Sequence, residues 1–335
     1  MLIVGHHDVR GVLEGAEQRI LELVGDTYRL HDEGRTALPH SVFLRFPGNT
    51  RDRIIGLPAY AGGGRPVAGM KWIASYPGNT ARGRERASAV VVLNSTEDGT
   101  PLACVEASRI SAKRTAASAA LAAARLVTEE RPTGIALVGC GPINQEVLRF
   151  SRAALPSLAE VTVYDLDRAR AELFVDEAAK HAPDARFTVA GSVEEALAAH
   201  RLVAFATTAG RPHLDLSACA AGTTVLHVSL RDLKVEAILG AQNVVDDADH
   251  VCRENTSLHL AEQVTGNRDF IDASIGALLR GTSGFRRDPA RIAVFSPFGL
   301  GVLDLTLAGW VYEESLRQGL GVRVDGFLPD PSPAL

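Results

Sequence analysis

Gly134-Ile-Ala-Leu-Val-Gly139-Cys-Gly141-Pro-Ile-Asn144 is the stretch on which the fold turns. Its apolar run, Ile135 to Val138, has the length of a buried strand and breaks at Gly139-x-Gly141, after which the residues suit a helix. The next apolar run, Val161-Thr-Val-Tyr164, ends on an acid, Asp165. Strand, glycine turn, helix, strand and acid, in that order, are the layout of a dinucleotide-binding unit. The turn glycines let the backbone approach a pyrophosphate, and the amides that open the helix meet the anion at the positive end of the helix dipole. A carboxylate at the end of the second strand accepts the ribose hydroxyls of NAD and repels the extra phosphate of NADP, although Arg168 lies close by. The third glycine of the fingerprint is missing, with Asn144 in its place, and a Gly-x-Gly after an apolar run also occurs as a plain tight turn. Asp165 is what favours the nucleotide reading.

Composition sets outer bounds. A chain of 335 residues holds roughly two domains at about 150 residues each, and 46% hydrophobic residues are enough for substantial cores. The net charge of −5 comes without a basic stripe, which argues against nucleic acid as a ligand. The N-terminus lacks the basic region and apolar core of a signal peptide. No uninterrupted apolar run has the length of a membrane span, so no membrane partner is expected. Cys104, Cys140, Cys219 and Cys252 are isolated and read as reduced thiols of a cytoplasmic enzyme, without disulfide or metal roles.

Three textures follow one another along the chain. Val9, Val12, Leu13, Ala16, Ile20, Leu23, Val24 and Tyr28 recur at helical spacing and predict one amphipathic helix ending near Gly34. Short β-like runs at 41–46, 53–59, 67–76 and 87–94, separated by Gly/Pro turns, predict an antiparallel sheet, and an alanine-rich helix is expected over 111–127. From about residue 130, strand candidates at 135–138, 161–164, 186–190, 202–206, 224–228, 242–245 and 291–295 alternate with helical stretches, the pattern of βαβ units and a parallel sheet. A last helix, 303–318, is expected to cross back onto the first domain, and the proline-rich end from Pro329 is expected to fray. The expected fold class is therefore α/β: a Rossmann-type NAD-binding domain over 128–304, and a discontinuous α+β substrate and dimerisation domain made of 1–127 with 305–335.

Several polar residues stand where apolar ones would be ordinary. Arg45 interrupts Val42-Phe-Leu-Arg45-Phe46, as either a carboxylate clamp or an arginine on the solvent face of an edge strand. Lys71 interrupts Val67-Ala-Gly-Met-Lys71-Trp-Ile-Ala; a buried lysine gives up its proton readily and can serve as a base, whereas a snorkelling one does not. Arg114 and Thr115 open the alanine-rich helix, and an arginine there opposes the dipole, so an anion is expected to hold it: a substrate carboxylate, a cofactor phosphate or a surface acid. Asp232 follows the strand Val225-Leu-His227-Val and is either an acid–base group at a carboxyl-end crevice or a helix cap; His227 reads as a packed core residue. Thr207-Thr208 and Ser296-Pro-Phe-Gly299-Leu-Gly301 end further strands and suit a cofactor, while Asp304 reads as a cap.

Taken together, these residues resemble the ornithine cyclodeaminase/μ-crystallin superfamily over nearly the whole chain. Lys71, Lys113-Arg114-Thr115, Gly139-x-Gly141-x-x-Asn144-Gln145 and Asp232 fall in its order. A narrower resemblance, to the branch that serves 2,3-diaminopropionate biosynthesis, rests on several strings. They include Phe43-Leu-Arg-Phe-Pro47, Leu57-Pro-Ala-Tyr60, Gly69-Met-Lys-Trp-Ile73, Leu93-Asn-Ser-Thr-Glu97 and the run from Ile110 to Ala120.

The resemblance implies NAD-dependent oxidation of the glutamate Cα–N bond of N-((2S)-2-amino-2-carboxyethyl)-L-glutamate. Hydrolysis of the imine then gives L-2,3-diaminopropionate and 2-oxoglutarate, in a siderophore or peptide-antibiotic pathway. It also implies a pathway partner, a pyridoxal-phosphate-dependent synthase that joins O-phosphoserine to glutamate, and a homodimer formed through the first domain's sheet. Lys71 and Asp232 are the expected acid–base pair, with the division of work between them open. Arg45, Lys71, Arg114 and Asn94 are expected at the substrate, with Ser88 and Glu262 as weaker candidates. Thr115, Gly139, Gly141, Pro142, Ile143, Asn144, Asp165, Thr207, Ser229 and Gly299 are expected at NAD. Competing readings are a cyclodeaminase lyase, a ketimine or imino-acid reductase, and a non-enzymatic cofactor-binding protein.

Overall fold

The computed structural model describes residues 1–329; the end expected to fray lies beyond them except for Pro329. The chain divides into two compact units. The first comprises Met1–Ala16, Glu33–Arg114 and Leu300–Leu335, and the second Glu17–Asp32 and Thr115–Gly299. The boundaries differ from the expected 127/128 and 304/305: residues 17–32 and 115–127 cluster with the second unit.

The first unit is built on one mixed sheet. Strands Asn49–Ala61, Val67–Ser75, Ala87–Asn94 and Pro101–Glu106 run antiparallel in sequence order, with Val42–Phe46 and Thr36–Ala37 both on Asn49–Ala61. Leu2–Val4, too short to announce itself in the sequence, pairs in parallel with Pro101–Glu106. Side chains alternate across the sheet. Lys71, Ile73 and Ser75 share one face, and the row Val42, Gly56, Trp72 and Val90 lies on the other. Helix Gly301–Gln318 lies over the strands on the Lys71 side, and Gly301 is required there, because a Cβ would come within 2.9 Å of Leu57 Cβ.

The expected single helix over 9–28 is two, His6–Leu13 and Glu17–Asp32. Gly15, at φ 69°, adopts the left-handed backbone that breaks it, although the apolar period runs on across the break. The alanine-rich helix is Ser108–Leu126 and starts three residues earlier than expected; Ala116, Ala117, Ala119, Ala120, Ala122 and Ala123 are all fully buried.

The second unit carries a parallel sheet of eight strands among the described residues. From one edge to the other they are Arg186–Val189, Glu160–Tyr164, Gly134–Val138, Leu202–Phe205, Thr224–His227, Ala293–Ser296, Gln242–Val245 and Ile271–Ser274. The last of these was not expected: its Asp272 breaks the apolar run. Strand order reverses between Gly134–Val138 and Leu202–Phe205, and beyond the carboxyl ends of such strands open α/β sheets bind ligands.

Candidate functional site

In the first unit three charges meet in the interior. Strand Val67–Ser75 places Lys71 on its covered face, and Asp304 comes from the first turn of helix Gly301–Gln318. Lys71 Nζ donates to Asp304 Oδ2 at 2.7 Å, and Arg114 Nε donates to Asp304 Oδ1 at 3.1 Å. Ser111 Oγ lies 3.4 Å from Lys71 Nζ. Lys71 is 1% exposed and Asp304 fully buried. Burial pushes the Lys71 ammonium down from 10.5 to about 8; Asp304 pulls it up, Arg114 pushes it down further, and burial wins.

This cluster corrects two expectations. Arg114 does not open a helix but is the seventh residue of Ser108–Leu126, and an anion that holds it is the protein's own Asp304. Asp304 is no helix cap: Leu300 precedes the helix and the aspartate points into the core. Sequence reasoning passed over Asp304, although an acid alone in Gly301-Val-Leu-Asp304-Leu-Thr-Leu is the same kind of signal that singled out Lys71.

The other four substrate candidates do not join this cluster. Asn94 and Ser88 fall on the sheet face opposite Lys71, in rows with Ala68 and Ala74, and Asn94 Nδ2 donates to Gly99 O at 2.9 Å. Arg45 is exposed on a strand that, among the described residues, pairs only with Asn49–Ala61, with its guanidinium 5.4 Å from the Phe43 ring centroid. By register through Arg53 and Ser75 it shares Lys71's face, displaced from Lys71 by four residues, roughly 13 Å along the strand. Glu262, on helix Ser257–Thr265 of the second unit, accepts from Arg268 Nε at 2.6 Å.

In the second unit a cavity of ≈ 490 Å³ opens at the strand reversal, lined among others by Gly139, Gly141, Asp165, Arg170 and Thr207. Gly139 holds φ 94°, and a Cβ there would come within 2.6 Å of Ala206 O, so only glycine closes this turn. Gly141 precedes helix Pro142–Ala154 with open space before it. Pro142 and Ile143 form that helix's first turn, where proline's missing N–H costs nothing. Asp165 Oδ2 accepts from Cys140 N at 2.8 Å and Oδ1 from Asp167 N at 3.0 Å, tying the second strand's end to the turn. Asn144 explains the missing third glycine. It is fully buried, and its Nδ2 donates to Val138 O at 3.0 Å and Gly139 O at 2.7 Å, locking the turn from inside rather than lining the cavity.

Asp232 is fully buried in the loop after strand Thr224–His227. Thr207 Oγ1 donates to its Oδ1 and Ser229 Oγ to its Oδ2, and His227 Nε2 lies 3.3 Å from Oδ2. Burial alone would raise the Asp232 carboxyl, but the bonds from His227, Ser229 and Thr207 together outweigh it and hold it below the ordinary range. It caps no helix: the residue before Val235–Gly240 is Lys234, and no side chain caps that end. Thr207 and Ser229 thus turn their hydroxyls to Asp232. Gly299 donates its N–H to Asp246 Oδ2 at 2.7 Å, beside Phe298 N to Oδ1 at 2.9 Å, so Asp246, buried and unforeseen, pins the loop after Ala293–Ser296. Thr115 follows Arg114 along the alanine-rich helix. No group of His, Cys, Asp and Glu that could hold a metal occurs among the described residues.

The profile of the ornithine cyclodeaminase/mu-crystallin family matches residues 7–319. The chain belongs to that family. It is 27% identical to N-((2S)-2-amino-2-carboxyethyl)-L-glutamate dehydrogenase of Staphylococcus aureus, covering 97% of this chain and 98% of the relative. It is equally 27% identical to the alanine dehydrogenase of Archaeoglobus fulgidus, over 97% and 98%. Among solved structures, an archaeal alanine dehydrogenase dimer with bound NAD superposes with a TM-score of 0.87 at 25% identity, covering 98% of this chain and 99% of that one. Within the family frame, the α/β fold with its Rossmann-like parallel sheet is the expected one.

Proposed function

We propose that this chain is an NAD-dependent amino acid dehydrogenase that converts N-((2S)-2-amino-2-carboxyethyl)-L-glutamate to L-2,3-diaminopropionate and 2-oxoglutarate. The observation that carries the reading is Lys71, an amine buried against Asp304 and Arg114 and poised to lose its proton near neutrality. The S. aureus relative, matched end to end, supports the choice of substrate.

The Gly139–Gly141 turn, Asp165 and Thr207 fit NAD: the turn is closed by bare backbone, and the acid sits at the second strand's end. NAD, when bound, supplies the hydride acceptor. The substrate nitrogen must be uncharged before the bonding pair of the neighbouring C–H can leave, and Lys71 Nζ takes its proton. Water that adds to the resulting imine gives its proton to Asp232, and collapse of the carbinolamine releases the two products. Arg45 and Arg114 take two of the substrate's three carboxylates. The sheet face bearing exposed Val42, Tyr60, Met70, Trp72 and Val90 is the dimer face, in line with the dimeric archaeal structure. A pyridoxal-phosphate-dependent synthase that joins O-phosphoserine and glutamate supplies the substrate, for a siderophore or peptide antibiotic.

The test is NADH formation from NAD and the synthetic conjugate, with products identified by mass spectrometry. Stoichiometric NADH with 2-oxoglutarate and diaminopropionate is expected. Ammonia and proline from ornithine without net NADH would replace this reading with a cyclodeaminase. Asp165→Ala is expected to raise the Kd for NAD about tenfold, roughly 1.4 kcal/mol, and to narrow the preference over NADP, because both the ribose acceptor and the Cys140 tether are lost. Calorimetric titration with each cofactor checks it, and unchanged affinities would remove Asp165 from the cofactor site.

A further inference from the structure

We propose that His227 is the proton reservoir behind Asp232, a positioning residue that receives the proton Asp232 takes up. The proposal rests on the acid–base role given to Asp232 above.

The starting point is a mismatch in Asp232 itself. A carboxylate that takes hydroxyl hydrogen bonds on both oxygens is a good resting anion and a poor place to keep a proton near neutral pH. A neighbouring lone pair within reach has to hold that proton, and the His227 imidazole offers one 3.3 Å from Asp232 Oδ2.

His227 meets the geometric requirement. It is fully buried, yet either protonation state finds partners. Its Nε2 lies 3.3 Å from the Asp232 backbone N, a donor, and 3.3 Å from Asp232 Oδ2, an acceptor. Its Nδ1 lies 3.2 Å from Ser296 Oγ. In the neutral ring, Nδ1–H donates to Ser296 and the Nε2 lone pair accepts the Asp232 amide. When a proton sits on Oδ2, the O–H bond breaks, an Nε2–H bond forms, and the carboxylate is restored against an imidazolium that keeps its bond to Ser296. The Asp232 N–H, which the neutral ring accepts, gives up that acceptor in this state and is the group that must readjust. A buried histidine serving only as packing needs one set of partners, and this one has two on the same nitrogen.

The surroundings leave the pair to itself. Strand Leu202–Phe205 offers His227 the Phe205 ring, edge-on with centroids 6.3 Å apart, and Thr207 beyond it. Strand Ala293–Ser296 offers Ser296, and the loop after Thr224–His227 offers Ser229 and Asp232. Of these groups only Asp232 carries charge.

Two measurements test the proposal. In the first, long-range nitrogen–proton NMR of the cofactor-free protein follows the His227 ring through a pH titration, in wild type and in Asp232→Asn. The expected result is a titration that moves at least about one pH unit lower when the carboxylate is removed. An identical curve in both proteins overturns the proposal whatever the enzyme's substrate proves to be. In the second, the pH profile of kcat is compared for wild type, His227→Gln and Ser296→Ala. His227→Gln keeps a donor toward Asp232 but cannot carry a proton. Its kcat is expected to fall about tenfold or more, with a displaced acidic limb. Ser296→Ala, a small change at a strand end that guards against a misfolded first variant, is expected to displace the limb in the same direction by less. Limbs that stay in place in both variants overturn the proposal. Absence of NADH from wild type fails the dehydrogenase reading alone and leaves the NMR result standing.

Discussion

Lys71→Met is expected to lower kcat about 10³-fold while the Kd for NAD, measured by calorimetry, stays within about twofold of wild type. Methionine matches the length of the lysine stem and removes only the charge and the basic nitrogen, and Asp304 keeps Arg114 Nε at 3.1 Å, so the interior is not left with a lone acid. The pH profile carries the sharper information. Lys71 acts as a base only when neutral, and burial brings its midpoint to about 8. Wild-type kcat/KM therefore rises with pH toward about 8 and levels off above it. That rise is expected to vanish in Lys71→Met. A residual activity that keeps the same limb would mean that the base is another group.

Asp304→Ala is expected to produce the largest stability loss of any single substitution in the first unit, about 3–5 kcal/mol at neutral pH, read by denaturant unfolding. The carboxylate is fully buried and lies between Lys71 and Arg114, so its removal leaves two cations facing each other with little water to solvate them. The sign of the pH dependence follows from Lys71. Its folded pKa, already lowered to about 8, loses the upward pull of Asp304 and falls further in the variant. Below both folded values the lysine is charged in wild type and variant alike, and its share of the deficit is complete. As pH rises toward about 8 the variant sheds the proton first, and that share shrinks. Arg114 stays charged throughout, so its share persists. Asp304→Asn, which keeps the volume, is expected to lose less stability but nearly as much activity. A deficit independent of pH would show that Lys71 does not depend on Asp304 for its charge.

Local pattern alone determined much of this protein. The Gly139-x-Gly141 turn, the strand before it, Asp165 and the βαβ alternation are readable because each is a short-range demand: a backbone conformation only glycine adopts, an apolar run of strand length, an acid at a strand end. Lys71 was also readable, since a lone cation in an apolar strand is costly unless something answers it. What answers it was not readable. Asp304 lies 233 residues away, and only the packing of helix Gly301–Gln318 over the sheet makes an apparent helix cap into the shared counter-ion of Lys71 and Arg114. Asn144 and Asp246 look interchangeable with any polar residue in a loop or first turn until the fold shows whose backbone groups they hold. Asn94 was misplaced for the complementary reason: strand periodicity says that neighbours alternate, but only the pairing register says which face is Lys71's. Sequence specified the local conformations and the unusual charges; tertiary structure alone decided their partners, because partnering depends on distances between segments that pattern along the chain does not encode.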